Sequence, residues 1–424
     1  MTNKLRNYSA LTLAALAAVS SAQAIDAGGI AIHGAVSATA AYSGDYDYYG
    51  DTSDSLDLDV KEITLNGAYR FDSGLRIAAQ LYAYDLAGYK DLTLDFATVD
   101  YSFNEMIGLR VGRNKLPQGL YGEVQDLDQI RVFASLPLNF YPRAARPLSA
   151  GYNGAGLYGT LGLAKAGSVD YQIFFGWVDN IDGDAPYVRG NNGLLQIDGI
   201  DIDQAMGGSL VWNAPVEGLK FGYTYNLFPD IKSNGHLQTT AGMLASGYSG
   251  NEAAGIDFLY GAGTWDYSGM FAGTPNTATV DASVQILSVE YTHDKWIGAA
   301  EYKKSKNEGV TSVPAFGISN QVTLSEEEHW YAQVTYQATD KFGAGVYYAH
   351  SDFDPKNTDA RDDKYTTVKD LAVGASYALT SNWLIKVEGH ALDGLAKLNL
   401  AGDVNRNTPD SSWNYFVVKT TFSF

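Results

Sequence analysis

The sequence predicts an all-β protein: a transmembrane, antiparallel, up-and-down β-barrel of about sixteen strands, its third extracellular loop folded into the lumen. Three observations carry this. Apolar and polar residues alternate with period two along most of the chain. Tight turns and long connections alternate as well, strand after strand. The last segment sets Phe416, Val418, Thr420, Phe422 and Phe424 on one face, up to the final residue.

The alternation is explicit in individual strands. From Leu219, one face carries Leu219, Phe221, Tyr223, Tyr225 and Leu227, and the other Lys220, Gly222, Thr224 and Asn226. From Trp330 the outer set is Trp330, Ala332, Val334 and Tyr336; the inner set is Tyr331, Gln333, Thr335 and Gln337. From Trp383, Ile385 and Val387 lie outside, and Leu384, Lys386, Glu388 and His390 inside. A soluble sandwich would show the same pattern in any single strand, its apolar face forming a core. Strand ends argue for a membrane: Trp177, Trp212, Trp296, Trp330, Trp383 and Trp413 recur there, as interfacial girdles do.

Connections argue further. Sixteen strands begin near Ile30, Asp57, Gly74, Asp91, Met106, Gly151, Ser168, Gln204, Gly218, Val280, Lys295, Glu326, Phe342, Thr367, Trp383 and Ser412. Every second connection is tight, from Asp72-Ser73 to Thr380–Asn382. Between them lie 43–56, 115–150, 179–203, 229–279, 306–325, 353–366 and 395–411, with 87–90 alone short. A sandwich has no reason to gather its long loops at one end; an even-stranded barrel does. The 229–279 connection is expected to stay outside the hydrocarbon, because glycine is dense there and its alternation brief.

The start of the chain reads as a secretory signal over residues 1–24. It has a basic head (Lys4, Arg6), an apolar run from Ala10 to Val19, and small residues at Ala22 and Ala24. The barrel then occupies 25–424. With 48 acidic against 29 basic residues the net charge is −19, and −21 once Lys4 and Arg6 are removed, which argues against a nucleic-acid partner. There is no cysteine, which excludes disulfides and thiolate metal sites. Mean hydropathy is −0.16 with 30 tyrosines and 7 tryptophans, and no apolar run beyond the signal is long enough for a membrane helix.

One stretch breaks the alternation for over thirty residues. From Gly112-Arg113-Asn114 onward, Pro117, Pro137, Pro142 and Pro147 deny backbone donors to a ladder. The stretch carries Arg113, Lys115, Glu123, Asp126, Asp128, Arg131, Arg143 and Arg146. A barrel of sixteen strands is wide enough for an aqueous channel. Residues 115–150 are expected to fold inward and set its narrowest point, with Glu123, Asp126 and Asp128 opposing Lys61, Arg110 and Arg113, and Arg131 on the same loop. Arg76 lies lower. Opposed charges would order water and favour polar solutes. The plainer reading is a salt-bridged brace that pins the loop. Arg113 shares parity with outward Val111, so it faces inward only if its strand bends.

With its signal peptide, sixteen strands, terminal phenylalanine and long third loop, the chain resembles the general porins of Gram-negative bacteria. The resemblance implies that Phe422 and Phe424 belong to the sorting signal read by the barrel-assembly machinery. It also implies an inward third loop at 115–150, a pore arginine after Gly112, export through the periplasm to the outer membrane, and a homotrimer. In that family the second loop latches onto a neighbouring subunit; here the connection at 87–90 is too short to match.

Other chemistry is sparse. Six histidines (33, 236, 293, 329, 350, 390) are scattered without ligand spacing, so no metal and no catalytic residue is expected. Asp179, Asp182 and Asp184, and Asp198, Asp201 and Asp203, lack the twelve-residue calcium pattern and read as solvated loops, open to ions that bridge lipopolysaccharide phosphates. No cofactor motif occurs. The function expected is a passive pore for ions and small hydrophilic solutes. Alternatives are a channel selective for phosphate or another small anion, since five loop bases face three acids, and an outer-membrane barrel enzyme.

Overall fold

A computed structural model describes residues 25–27, 29–46, 52, 56–86, 89–137, 139–185, 195–237, 273, 275–313, 318–356, 363–396 and 410–424. The expected signal, and residues 238–272 of the long 229–279 connection, lie outside the described residues.

The strands are β1 (Ile25–Ala27), β2 (Ile30–Ser43), β3 (Asp57–Arg70), β4 (Leu75–Leu86), β5 (Tyr89–Ser102), β6 (Gly108–Lys115), β7 (Gly151–Gly162), β8 (Ser168–Asp182) and β9 (Leu195–Asn213). They continue as β10 (Leu219–Leu237), β11 (Pro275–His293), β12 (Trp296–Val313), β13 (Ile318–Gln337), β14 (Phe342–Asp352), β15 (Thr367–Ala378), β16 (Trp383–Asp393) and β17 (Ser412–Ser423). From β2 to β17 each strand pairs antiparallel with the next, and β17 pairs with β2. The sixteen strands form a closed barrel, as the period-two pattern predicts, and every strand of the ring has a neighbour on both sides.

Closure is tight at the chain's end. Gly34 and Phe424 exchange backbone hydrogen bonds of 3.0 and 2.9 Å. The Phe424 ring lies where a side chain at residue 34 would stand: a Cβ there would come 2.4 Å from the ring, which would have to shift to admit it. Past Phe424, β1 folds back and pairs with Ile30–Ile32, covering the edge that β17 leaves.

Burial follows the alternation. On β17, Phe416, Val418 and Phe422 are about half exposed, while Val417, Lys419 and Thr421 between them are buried. The outer face carries exposed Trp212, Trp296 and Trp383 close to tight turns and exposed Trp177 and Trp330 nearer the other end. Val169 pairs with Trp212, and Trp177 stands eight residues beyond Val169, about 26 Å along the strand and roughly 20 Å in height once it tilts, near the height of a hydrocarbon band. Trp413 departs from the expected girdle: it is buried on the inner face and its Nε1–H donates to the carbonyl of Gly394.

Three long connections are shorter than expected. β8 and β9 extend into 179–203, β10 and β11 into 229–279, and β12 and β13 into 306–325. β9, β11 and β13 accordingly begin at Leu195, Pro275 and Ile318 rather than near Gln204, Val280 and Glu326. These extensions mix polar residues with Ile197, Ile200, Ile202, Val322 and Leu324, so composition alone does not mark them as strand.

Candidate functional site at the third long connection

β6 ends at Lys115 and β7 begins at Gly151. Among the described residues between them the chain makes only single helical turns: Gly122–Val124, Asp128–Ile130, Arg143–Ala145 and Arg146–Ser149. The prolines account for this. They remove ladder donors, while the Pro137 carbonyl accepts from Phe140 and Tyr141 and the Pro142 carbonyl from Ala145, which closes turns in place of strands.

Ionic contacts hold one side of the connection. On β5 a bulge opposite Gln80 and Leu81 turns Asp95 inward, where it is fully buried. Asp95 meets Lys115 at 2.6 Å and Arg146 at 2.7 Å. Lys115 also meets Asp126 at 2.9 Å, and Gln80 of β4 donates to both aspartates. Burial alone would raise the Asp126 carboxyl, but Lys115 and Arg146 beside it, with hydrogen bonds from Lys115 and Gln80, hold it at about 2.

Lys386 on β16 and Lys419 on β17 are cross-strand partners, both buried. Like charges placed directly opposite repel, and Asp128 sits between them as the compensating anion. Asp128 accepts from Lys419 at 2.8 Å, Arg131 at 2.6 Å and the Thr421 hydroxyl at 2.7 Å. Lys386 donates to the backbone carbonyls of Asp128 and Phe133 at 2.7 and 2.8 Å. Burial would raise this carboxyl too; Lys419, Arg131 and Lys386 keep it well below the usual carboxylate range. Lys419 also reaches Glu62 of β3 at 2.7 Å, and Arg143 stands 3.8 Å from the same carboxylate.

On the other side Lys303 of β12 donates to the carbonyls of Asn139 and Phe140 at 3.4 and 2.5 Å, and the carboxylates are met by neutral donors. Glu301 of β12 accepts from the Leu120 N–H at 2.7 Å, the Ser288 and Tyr331 hydroxyls at 2.6 Å each, and the Tyr141 hydroxyl. Nearby, Tyr121 donates to Glu290 at 3.2 Å and accepts from Gln333 at 3.0 Å. Asn226 of β10 donates to the Pro117 carbonyl at 2.7 Å. Burial beside Glu290 raises the Tyr121 hydroxyl well above its usual range, and burial beside Glu301 does the same for Tyr141, so both remain donors.

Of the residues expected at the constriction, Asp126, Asp128 and Arg131 lie in the ionic network. Glu123 accepts from Gln172 at 2.5 Å and lies near Arg110, which pairs with Asp100 at 2.6 Å. Arg76 pairs with the same Asp100 at 3.1 Å. Two residues are elsewhere. Lys61 shares the parity of exposed Ile63 and Leu65 and pairs with Asp85 on the outer face at 3.5 Å. Arg113 stays on the outer row: the register runs unbroken from Ser102↔Gly108 to Ala97↔Arg113, and Arg113 binds Asp179 beside Trp177. Arg113 thus meets Asp179 rather than the loop acids, while Lys115, of the same parity and beyond Gly112 at φ 120°, reaches Asp95 and Asp126.

The partners absent from the expected set are Glu62, Asp95, Glu301, Lys386, Glu388 and Lys419; Glu388 receives the Ser135 backbone N–H and hydroxyl at 3.3 and 3.1 Å. Inner parity was the signal available for the two lysines. Among the acidic loop residues, Asp198 meets His236 and Asp203 meets Lys232, and no grouping of three potential metal ligands occurs among the described residues.

Comparison with known proteins places the architecture. No family model matches the chain. An uncharacterised protein of Aquifex aeolicus is 28% identical over 118 residues, which are 27% of this chain and 26% of that protein's length. Among solved structures, an anion-selective porin from Comamonas acidovorans is similar with a TM-score of 0.57 at 12% identity, covering 93% of this chain and 99% of that one. OmpT, an outer membrane protein of Vibrio cholerae, gives 0.54 at 12% identity over 94% and 100%. OmpF of Salmonella typhi gives 0.51 at 14% over 95% and 100%. At these identities the likeness is one of fold: this chain has the closed barrel that porin channels have.

Proposed function

We propose that the protein is an outer-membrane pore for passive diffusion of ions and small hydrophilic solutes, narrowed by residues 116–150. One observation carries this. Gln80 on β4 and Glu301 on β12 stand eight places apart in a ring of sixteen, and both bond this same connection through inward side chains. A segment tied to opposite walls crosses the interior, and what it leaves open is the path for solutes. The exposed apolar outer face fits lipid and lipopolysaccharide, and Phe422 and Phe424 fit a sorting signal for barrel assembly. A homotrimer accords with the fold.

Anion selectivity is the second reading. The ion pairs that tie the connection down link six bases (Lys115, Arg131, Arg143, Arg146, Lys386, Lys419) to four acids (Glu62, Asp95, Asp126, Asp128), in a chain whose net charge is −19. A planar-bilayer recording in a salt gradient tests both readings. Stepwise conductance is expected, with a reversal potential on the anion side. No conductance, or lipid or peptide hydrolysis instead, overturns the pore; a cation-side reversal overturns the selectivity. Placement has its own test, since the chain lacks cysteine. A bulky thiol reagent on Gln125→Cys, which lines a small cavity between the connection and β3–β4, should cut conductance. The same reagent on Asp294→Cys, 83% exposed at a tight turn, should not. Equal conductance before and after labelling Gln125→Cys puts the connection outside the pore.

A further inference from the structure

We propose that a row of inward arginines on the tight-turn side of the barrel binds a tetrahedral oxyanion of the phosphate class. The row crosses four neighbouring strands in register: Arg70 of β3 pairs with Arg76 of β4, Arg76 with Asp100 of β5, and Asp100 with Arg110 of β6. Arg70 shares the inward parity of Glu62, and Arg76 that of Gln80, in an unbroken register. Each member stands at or close to a strand end at a tight turn, whereas the 116–150 connection leaves β6 at its other end. Gly156 of β7, opposite Arg110, brings no side chain, and the Tyr158 ring lies 5.0 Å from the Arg110 guanidinium.

Asp100 is the carboxylate of the row, and both of its oxygens are taken. One accepts from Arg110 Nε at 2.6 Å, the other from Arg76 Nη1 at 3.1 Å and the Thr98 hydroxyl at 3.5 Å. A guanidinium carries five N–H donors. Arg76 and Arg110 each make one described hydrogen bond, so most of both forks is unspent. The Tyr158 hydroxyl has no hydrogen-bond partner among the described residues, and all three arginines act on it electrostatically, with Asp100. Glu123 of the connection is the other acid close by; it lies near Arg110 and accepts from Gln172 at 2.5 Å. Three cations thus face two acids. Arg70 and Arg76, like Lys386 and Lys419, are like charges directly opposite each other, an arrangement that an anion beside them stabilises.

Access needs no enclosed cavity. The Arg76 and Arg110 side chains are 32% and 25% exposed and Arg70 is exposed, so lumenal water already reaches them. Fork geometry decides the ligand class. A guanidinium fork matches two oxygens of a carboxylate or phosphate at once. A planar monocarboxylate fills one fork, whereas a tetrahedral oxyanion has oxygens for two forks and the tyrosine hydroxyl together. Chloride, a sphere, uses none of this directionality.

This inference rests on the pore reading and deepens its anion selectivity, and its test separates the two. In bilayers at fixed ionic strength, millimolar phosphate should reduce chloride current, with acetate much weaker. Arg76→Gln should raise the half-blocking concentration about tenfold. Arg76→Lys, which keeps the charge and loses the fork, should raise it about threefold. Normal chloride current that phosphate does not reduce, or a block in Arg76→Lys equal to the parent's, overturns the site and leaves the pore standing. Acetate blocking as strongly as phosphate overturns the tetrahedral class. If Arg76→Gln lacks the heat-modifiable folded band, Tyr158→Phe carries the test: the half-blocking concentration should rise about threefold, and an unchanged block overturns the site. If no current flows, the pore reading fails. Calorimetric titration of the detergent-solubilised protein with sodium phosphate then decides the site: heat lost in Arg76→Gln supports it, and no heat in the parent overturns it.

Discussion

At β16 and β17 the 116–150 connection buries Asp128 between two lysines and an arginine; at β11 to β13 it rests on Glu301, whose hydrogen-bond donors are all neutral. Both arrangements satisfy a carboxylate taken out of water, but by different means. In the ionic seat every member depends on the others, because removing the acid strands cations in a dry place. In the tyrosine seat the loss of charge strands hydroxyls and one amide, each of which can find a second-best acceptor. The connection is therefore held by one seat that fails abruptly and one that fails gradually.

The sharpest way to break this comparison is to remove Asp128. Asp128→Ala leaves Lys386 without its nearest anion and Lys419 with Glu62 alone, at a cost of about 3–5 kcal/mol. The folded band in heat-modifiable gel mobility should be lost at a lower temperature, and single-channel conductance should rise as the connection loosens. A shift no larger than that of Glu301→Gln would end the distinction between the seats.

Acid provides the next largest effect. Asp126 has its carboxyl depressed from about 3.8 to about 2, so its contribution to anchoring is complete above pH 4 and is lost as pH falls through 2. That is about 2 kcal/mol. Asp128, depressed by the same kind of neighbours, acts in the same direction. Conductance should therefore hold steady from neutral pH to about 4 and change below it. A transition centred above pH 5 would place the titrating anchor at the Glu301 seat rather than at Asp126.

Glu301→Gln comes third, at about 1–2 kcal/mol, since the amide keeps one acceptor oxygen for the Leu120 N–H and the hydroxyls can reorient. Thermal stability of the folded band measures it.

Much of the architecture was legible because it is periodic. Strand number, the alternation of turns and the third connection all follow from period two and from prolines in sequence. The seats were less legible. Lys386 could be put on the inner face from Trp383, Ile385 and Val387, and Lys419 from Val418 and Thr420 around it, but nothing local connects Lys419 to Asp128, 291 residues away. Asp95 faces inward through a bulge, which shifts parity without a composition signal. Height in the wall misplaced Lys61 and Arg113, because residues at one height alternate between lumen and outside.

Lys61 supplies the smallest expected effect and the cleanest control. It stands between inward Glu62 and inward Val60, shares its face with Ile63 and Leu65, and pairs with Asp85, to which Lys90 also comes within 3.8 Å. The pair lies towards the long-loop end of the outer face, and the Lys61 side chain is 54% exposed, so breaking it should cost about 0.5 kcal/mol or less. More to the point, a charge on the far side of the wall does not touch the permeation path. Lys61→Gln should leave reversal potential and conductance unchanged, whereas Lys419→Gln, at the opposite parity and in contact with Glu62 and Asp128, should shift both. If Lys61→Gln moves the reversal potential as far as Lys419→Gln does, the division of this wall into inner and outer rows is wrong, and with it the placement of both seats.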